Sequence, residues 1–216
     1  MRNEAPLIRL IEVEAFIHDI STRMPFRYGI ACMTAAPALH IRLTIEDSNG
    51  KTAQGVAADG LPPRWFDKDP EKSLRRNVED QVKAMVLARD VYLDCGASAA
   101  TAAEHWQAAL PRIYEDGSRA GLNALTSAFG SSFFERAMLD ALARLRGLSF
   151  FELLKNDLTG FETAAILPDQ PLERLHCRHT VGLGDPIRAS DISSEDRLRD
   201  GLPQALEECI DEYGLS

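Results

Sequence analysis

Leu39, Ile41, Leu43 and Ile45 alternate with His40, Arg42, Thr44 and Glu46, and Asn49-Gly50 follows. A period of two marks a strand that buries one face. Asn-Gly accepts the positive φ angles of a tight hairpin turn, so Thr52 to Ala58 is expected to return antiparallel. Upstream, from Leu7 to His18, the odd positions Ile11, Val13, Ala15 and Ile17 are apolar and Glu12 and Glu14 sit between them. That pattern predicts a first strand. The chain therefore opens with a three-stranded antiparallel meander, with a loop from Ser21 to Pro37 between its first two strands.

A helical block is expected next. Asp69 followed by Pro70 reads as a helix start, because an Asp side chain accepts from orphan N–H groups and Pro loses nothing at the first helical position. That helix should run to about Leu93, before Gly96. Ser98 opens another, Ala99 to about Leu110, and Pro111, Gly117 and Gly121 close the region. Thr126 to Leu145 reads as a long helix with Phe134, Ala137, Met138, Ala141, Leu142 and Leu145 as its buried stripe, stopped at Gly147. Ser149 caps a short helix, Phe150 to Leu154. Thr159 to Glu173 looks like a connection, Leu175 to Leu183 reads as a strand, and Gly184-Asp185-Pro186 ends it. Ser193 and Asp196 suggest a capped helical segment, and Pro203 a restart that runs to Tyr213 with Gly214 past its end.

The 24 Lys and Arg against 33 Asp and Glu give a formal charge of −9, with no clustered basic arm. Nucleic-acid binding needs such clusters, so it is not expected. No run approaches the roughly 20 apolar residues of a membrane span, and the N-terminus lacks the apolar core of a secretion signal, so no membrane partner and a cytoplasmic location are expected. Cys32, Cys95, Cys177 and Cys209 are scattered with no Cys-x-x-Cys pair and are read as reduced thiols.

The stretches I-R-L-I-E-V-E-A-F, M-P-F-R-Y-G and L-H-I-R-L-T-I-E-D-S-N-G-K precede a helical block ending E-R-A-M-L-D-A-L-A-R-L-R-G-L-S-F-F-E-L-L. Together they resemble the N-terminal capping domain of the enolase superfamily, in its mandelate racemase and muconate lactonizing branch. The most specific stretch is Glu135 to Leu154, where Ala137, Asp140, Ala141, Gly147, Leu153 and Leu154 match. The chain departs from the family at Ala53-Gln54-Gly55-Val56, where Gly-x-Gly-Glu is common, and at Leu153-Leu154-Lys155-Asn156, where Leu-Leu-Gly-Gly is.

The resemblance implies an α+β cap over a (β/α) barrel. Such enzymes remove the α-proton of a carboxylate and hold the enediolate on Mg²⁺, as racemases, isomerases or dehydratases. A full barrel takes about 250 residues, whereas only about 55 follow the cap, from Glu162 to Ser216. Lys51, Lys68, Lys72, Lys83 and Lys155 contain no Lys-x-Lys base motif. The expectation is thus a cap over residues 1–160 and, over 161–216, a connection and the first strand and helix of an incomplete barrel. Catalytic residues and metal ligands would be absent from this chain and the chain inactive alone. Mg²⁺ would belong to the intact parent, whose acid-sugar or hydroxy-acid substrate is a carboxylate small molecule. The expected partner is the missing barrel or another copy of the chain. The alternatives are a free-standing binding or assembly module and one half of a split enzyme.

Two stretches are candidate substrate-binding surfaces. The first holds Arg23, Met24, Phe26, Arg27 and Tyr28, matching a family loop that closes over the barrel mouth; Arg27 suits a carboxylate through a two-pronged contact. The second is Asp59-Gly60-Leu61-Pro62-Pro63-Arg64-Trp65-Phe66, where the prolines would hold Asp59 or Trp65 in place; alternatively Trp65 and Phe66 merely anchor the following helix. His176-Cys177-Arg178-His179 offers at most two metal ligands on one strand face, and a piece of barrel wall is the simpler reading. Gly182-Leu183-Gly184 lacks the features of a phosphate cradle.

Overall fold

The computed structural model describes residues 4–28, 31–176, 178–182 and 184–215, with Tyr28 and Ala31 described by backbone alone. Strands β1 (Ile8–Tyr28), β2 (Ala31–Asp47) and β3 (Thr52–Gly60) form one sheet in the order β1-β2-β3. Helices α1 (Leu74–Gly96), α2 (Ala102–Arg119), α3 (Ala124–Arg146) and α4 (Phe150–Lys155) follow, and α5 (Leu206–Tyr213) stands near the C-terminus. This is the expected meander followed by a helical block. The chain divides into two compact units, one of residues 1–20 and 36–171, the other of residues 21–35 and 172–216. No helix among the described residues is long and apolar enough to cross a membrane.

In the first unit β2 pairs antiparallel with β3 in a register that sets Leu43 opposite Gly55 and Ile41 opposite Ala57. Asp47 builds the turn: its Oδ1 accepts from the N–H groups of Asn49 and Lys51, and Gly50 takes φ +77°. Leu39, Ile41, Leu43 and Ile45 are all buried, joined in one cluster by Tyr92 of α1 and by Phe133, Phe134, Ala137, Met138, Ala141 and Leu142 of α3. Alternate side chains of the strand thus meet helical stripes, the arrangement that buries one sheet face.

Strand β3 approaches α3 closely. A Cβ on Gly55 would stand 2.0 Å from the Ala137 carbonyl oxygen and 2.2 Å from the Ala141 nitrogen. Only glycine on the strand and small residues on the helix permit this contact, and Asp140 between them takes the Val56 N–H at 2.8 Å. The small and acidic residues singled out along this helix are therefore the ones that dock the strand.

Several local expectations are corrected. β1 buries Ile8 and Leu10, and Val13 packs partly against the core, whereas Ile11 is 46% and Ile17 53% exposed; Ile11 follows buried Leu10 and so faces the other side of the strand. No loop spans Ser21 to Pro37, since β1 runs to Tyr28 and β2 begins at Ala31. Extended-prone Thr22, Phe26, Met33 and Thr34 favour continuing the ladder, Pro25 is tolerated in an edge strand, and the Thr22 hydroxyl bonds to the carbonyls of Met33 and Thr34.

Helix α1 starts at Leu74 rather than Pro70, because Asp69 accepts from the nearby Glu71 N–H in a tight turn while Ser73 caps Arg76. It ends at Gly96 rather than about Leu93. Helix α2 starts at Ala102, where Thr101 and Glu104 exchange side-chain and backbone bonds in a capping box, and runs through Pro111 to Arg119. A proline inside a helix costs about 3 kcal/mol, but Ala109 and Ile113 on either side of it are buried, and that packing outweighs the local penalty. Asn123 caps α3, Gly147 ends it at φ +66°, and Ser149 with Glu152 boxes the start of α4.

In the second unit no strand forms over Leu175 to Leu183 among the described residues; Leu183 and Cys177 lie outside them. With no neighbouring strand to accept its backbone bonds, an extended segment has nothing to pair with. Ser193 and Asp196 exchange side-chain and backbone bonds, as a cap would, yet no α-helix follows. Helix α5 begins at Leu206, not Pro203, because the Glu208 carboxylate accepts from the N–H groups of Gln204 and Ala205 and fixes the start there.

Candidate functional site

The second unit holds a groove of about 700 Å³ walled by Arg23, Met24, Pro25 and Arg27 from the hairpin and by Asp185, Ile187, Ile192, Glu195 and Leu198 from the C-terminal segment. Its two arginines are in different states. Arg23 is spent within the fold: Nε and Nη2 donate to Asp200 at 2.6 and 2.8 Å, and Nη1 and Nη2 donate to the carbonyls of Pro203 and Leu202. The bond from Arg23 pulls the Asp200 carboxyl from 3.8 down to about 2.

Arg27 is held loosely. Among the described residues it makes one long ion pair, 3.4 Å to Asp185, and it keeps 40% of its side chain exposed. Asp185 is itself fixed by the Gly182 N–H at 2.7 Å. A Cβ on Gly184 would come within 2.9 Å of the Arg27 Cδ, so glycine there leaves the arginine its room. A guanidinium on a groove wall with one weak partner can exchange that partner for a ligand carboxylate. Apolar Met24, Ile187, Ile192 and Leu198 line the same groove.

Of the residues expected from sequence, Arg23, Met24 and Arg27 come together here. Phe26 is 45% exposed on the same hairpin, and the side chain of Tyr28 lies outside the described residues. Asp59 and Trp65 belong to the first unit. Asp59 pairs with Arg136 at 3.3 Å, and Arg136 also donates to the Ala58 carbonyl and covers the Phe133 ring. The stretch after Asp59 is pinned by α1: Asn77 accepts from the Arg64 N–H and Gln81 donates to the Pro62 carbonyl. Phe66 stacks on Phe129 with centroids 4.2 Å apart, while Trp65 is 49% exposed. Phe66 is thus an anchor for this stretch.

Sequence reasoning missed Asp185, Glu195 and Asp200. Gly184-Asp185-Pro186 reads only as a terminator, and nothing local reveals that Asp185 faces an arginine 158 residues away. In the His176-to-His179 stretch both histidines are exposed on irregular backbone. Among the described residues no three His, Cys, Asp or Glu side chains gather as a metal cluster. The carboxylate set that Mg²⁺ requires is thus not met by them. Cys32, Cys95 and Cys209 are unpaired.

No protein-family profile matches this chain, and no curated protein does. Solved structures do. An enolase from Bradyrhizobium complexed with magnesium and mandelic acid is similar over 68% of this chain and 35% of its own, at 18% identity and TM-score 0.44. The L-Ala-D/L-Glu epimerase from Bacillus subtilis, in a substrate-liganded complex, is similar over 68% and 34%, at 18% identity and TM-score 0.41. A mandelate racemase/muconate lactonizing enzyme type protein from Sorangium cellulosum is similar over 64% and 32%, at 24% identity and TM-score 0.32. The chain spans about a third of the length of each.

Proposed function

We propose that this chain is the capping part of a mandelate racemase and muconate lactonizing type enzyme of the enolase superfamily. In this reading it works over a (β/α) barrel that supplies the base and Mg²⁺ for α-proton abstraction from a carboxylate substrate. The chain contributes recognition and water exclusion, and the chemistry belongs to the barrel. The supporting observation is Arg27, a half-exposed guanidinium whose ion pair among the described residues is a long 3.4 Å contact, on the wall of a partly apolar groove. Met24 and Phe26 on the same hairpin would shape the ligand's body. Arg23 holds the hairpin in place.

The test is α-proton exchange in D₂O, followed by proton NMR, over a panel of hydroxy acids and acid sugars with Mg²⁺. The chain is assayed alone and together with a (β/α)-barrel polypeptide encoded with it. Exchange only in the combined sample, weakened about tenfold or more by Arg27→Ala as expected for loss of a charge-assisted contact, is the expected result. Exchange by the chain alone, or none in the combined sample, defeats the reading.

A further inference from the structure

His18 of β1 and His40 of β2 meet across neighbouring strands, with ring centroids 4.9 Å apart and planes at 85°. Both residues are exposed, and neither ring is hydrogen-bonded among the described residues. The nearby cation is neutralised: Arg42, over the Phe16 ring, is paired with Glu14 at 2.6 Å. Asp19, next to His18, adds negative charge.

Metal–nitrogen bonds of about 2.1 Å at a roughly tetrahedral angle place two imidazole centroids on the order of 5 Å apart. The observed separation meets that requirement, and the two strands fix it before any ion arrives. Imidazole selects borderline transition cations over Mg²⁺ or Ca²⁺.

We propose that His18 and His40 form a two-ligand site for a borderline divalent cation, Zn²⁺ or Ni²⁺, whose remaining positions are filled by water. Among the described residues no third ligand completes a cluster, so the site is a two-point chelate and depends on both rings. It is independent of the carboxylate groove.

Titration calorimetry with NiCl₂ and ZnCl₂ tests this on the wild type, His18→Ala, His40→Ala and the double variant His176→Ala/His179→Ala. The expected result is about one ion per chain, with affinity lowered at least about tenfold by either His18→Ala or His40→Ala, as two-point attachment requires. The His176/His179 variant should match the wild type. All four positions are exposed, and circular dichroism verifies that each variant folds. No uptake by the wild type, or uptake that survives both His18→Ala and His40→Ala, overturns the proposal.

Discussion

Arg23 and Asp200 lie 177 residues apart in the chain and form a two-pronged ion pair, Nε to Oδ2 at 2.6 Å and Nη2 to Oδ1 at 2.8 Å. The same guanidinium satisfies the carbonyls of Leu202 and Pro203. One side chain thus ties the far part of β1 to the segment that leads into α5.

Replacing Arg23 with Met keeps an unbranched apolar stem and removes every one of these bonds. Amide hydrogen exchange in residues 198–206 should become several-fold faster, because local opening no longer breaks an ion pair. Exchange in α3 should not change. Equal rates in wild type and variant at residues 198–206 would show that the pair does not hold this segment.

The same pair carries a pH dependence. Asp200 is lowered from 3.8 to about 2 by its bond from Arg23, and Glu208 from 4.5 to about 2 chiefly by the Ala205 and Gln204 N–H groups, with Arg197 adding to it. A depressed carboxyl stabilises above its unfolded value and loses that contribution as pH falls toward the folded one. Order in the second unit should therefore fade between about pH 4.5 and 2. Residue-resolved NMR of α5 over this window checks it; intensities that hold to pH 2 would contradict the assignment.

Gly55→Ala should destabilise the first unit by about 1–3 kcal/mol, the usual cost of overpacking. The added carbon meets the Ala137 carbonyl oxygen at 2.0 Å. Because that atom is backbone, Ala137→Gly should not rescue the variant. Chemical denaturation of the single and double variants decides the point, and a full rescue would refute the proposed clash.

Phe134 has no exposed surface and stacks on Tyr92 with centroids 5.2 Å apart. Phe134→Ala should cost about 3–5 kcal/mol, through lost transfer energy and the cavity left behind. Thr101→Ala, which removes only the α2 cap, should cost about 1 kcal/mol. Thermal melts should rank the two in that order.

The features legible in the sequence rest on residues whose reach is short. Asn49-Gly50 turns because Gly50 can take φ +77°, Gly147 ends α3 for the same reason, and Ser149 caps α4 through Glu152 three residues on. The alternation from Leu39 to Ile45 announces its buried face because each residue reports its own side of the strand. Arg27 was legible as a residue suited to carboxylates, though its partner was not.

What tertiary structure alone decided depends on atoms far away along the chain. Pro111 passes through α2 because Ala109 and Ile113 are buried around it. Ile11 and Ile17 stay exposed although their alternation matches that of β2, while Ile8 and Leu10 are buried and Val13 packs partly against the core. Arg23 is consumed and Arg27 loosely held because Asp200 and Asp185 arrive from the other end of the chain. Local pattern encodes what a residue and its near neighbours prefer, whereas burial and pairing are settled only when distant segments compete for the same atoms.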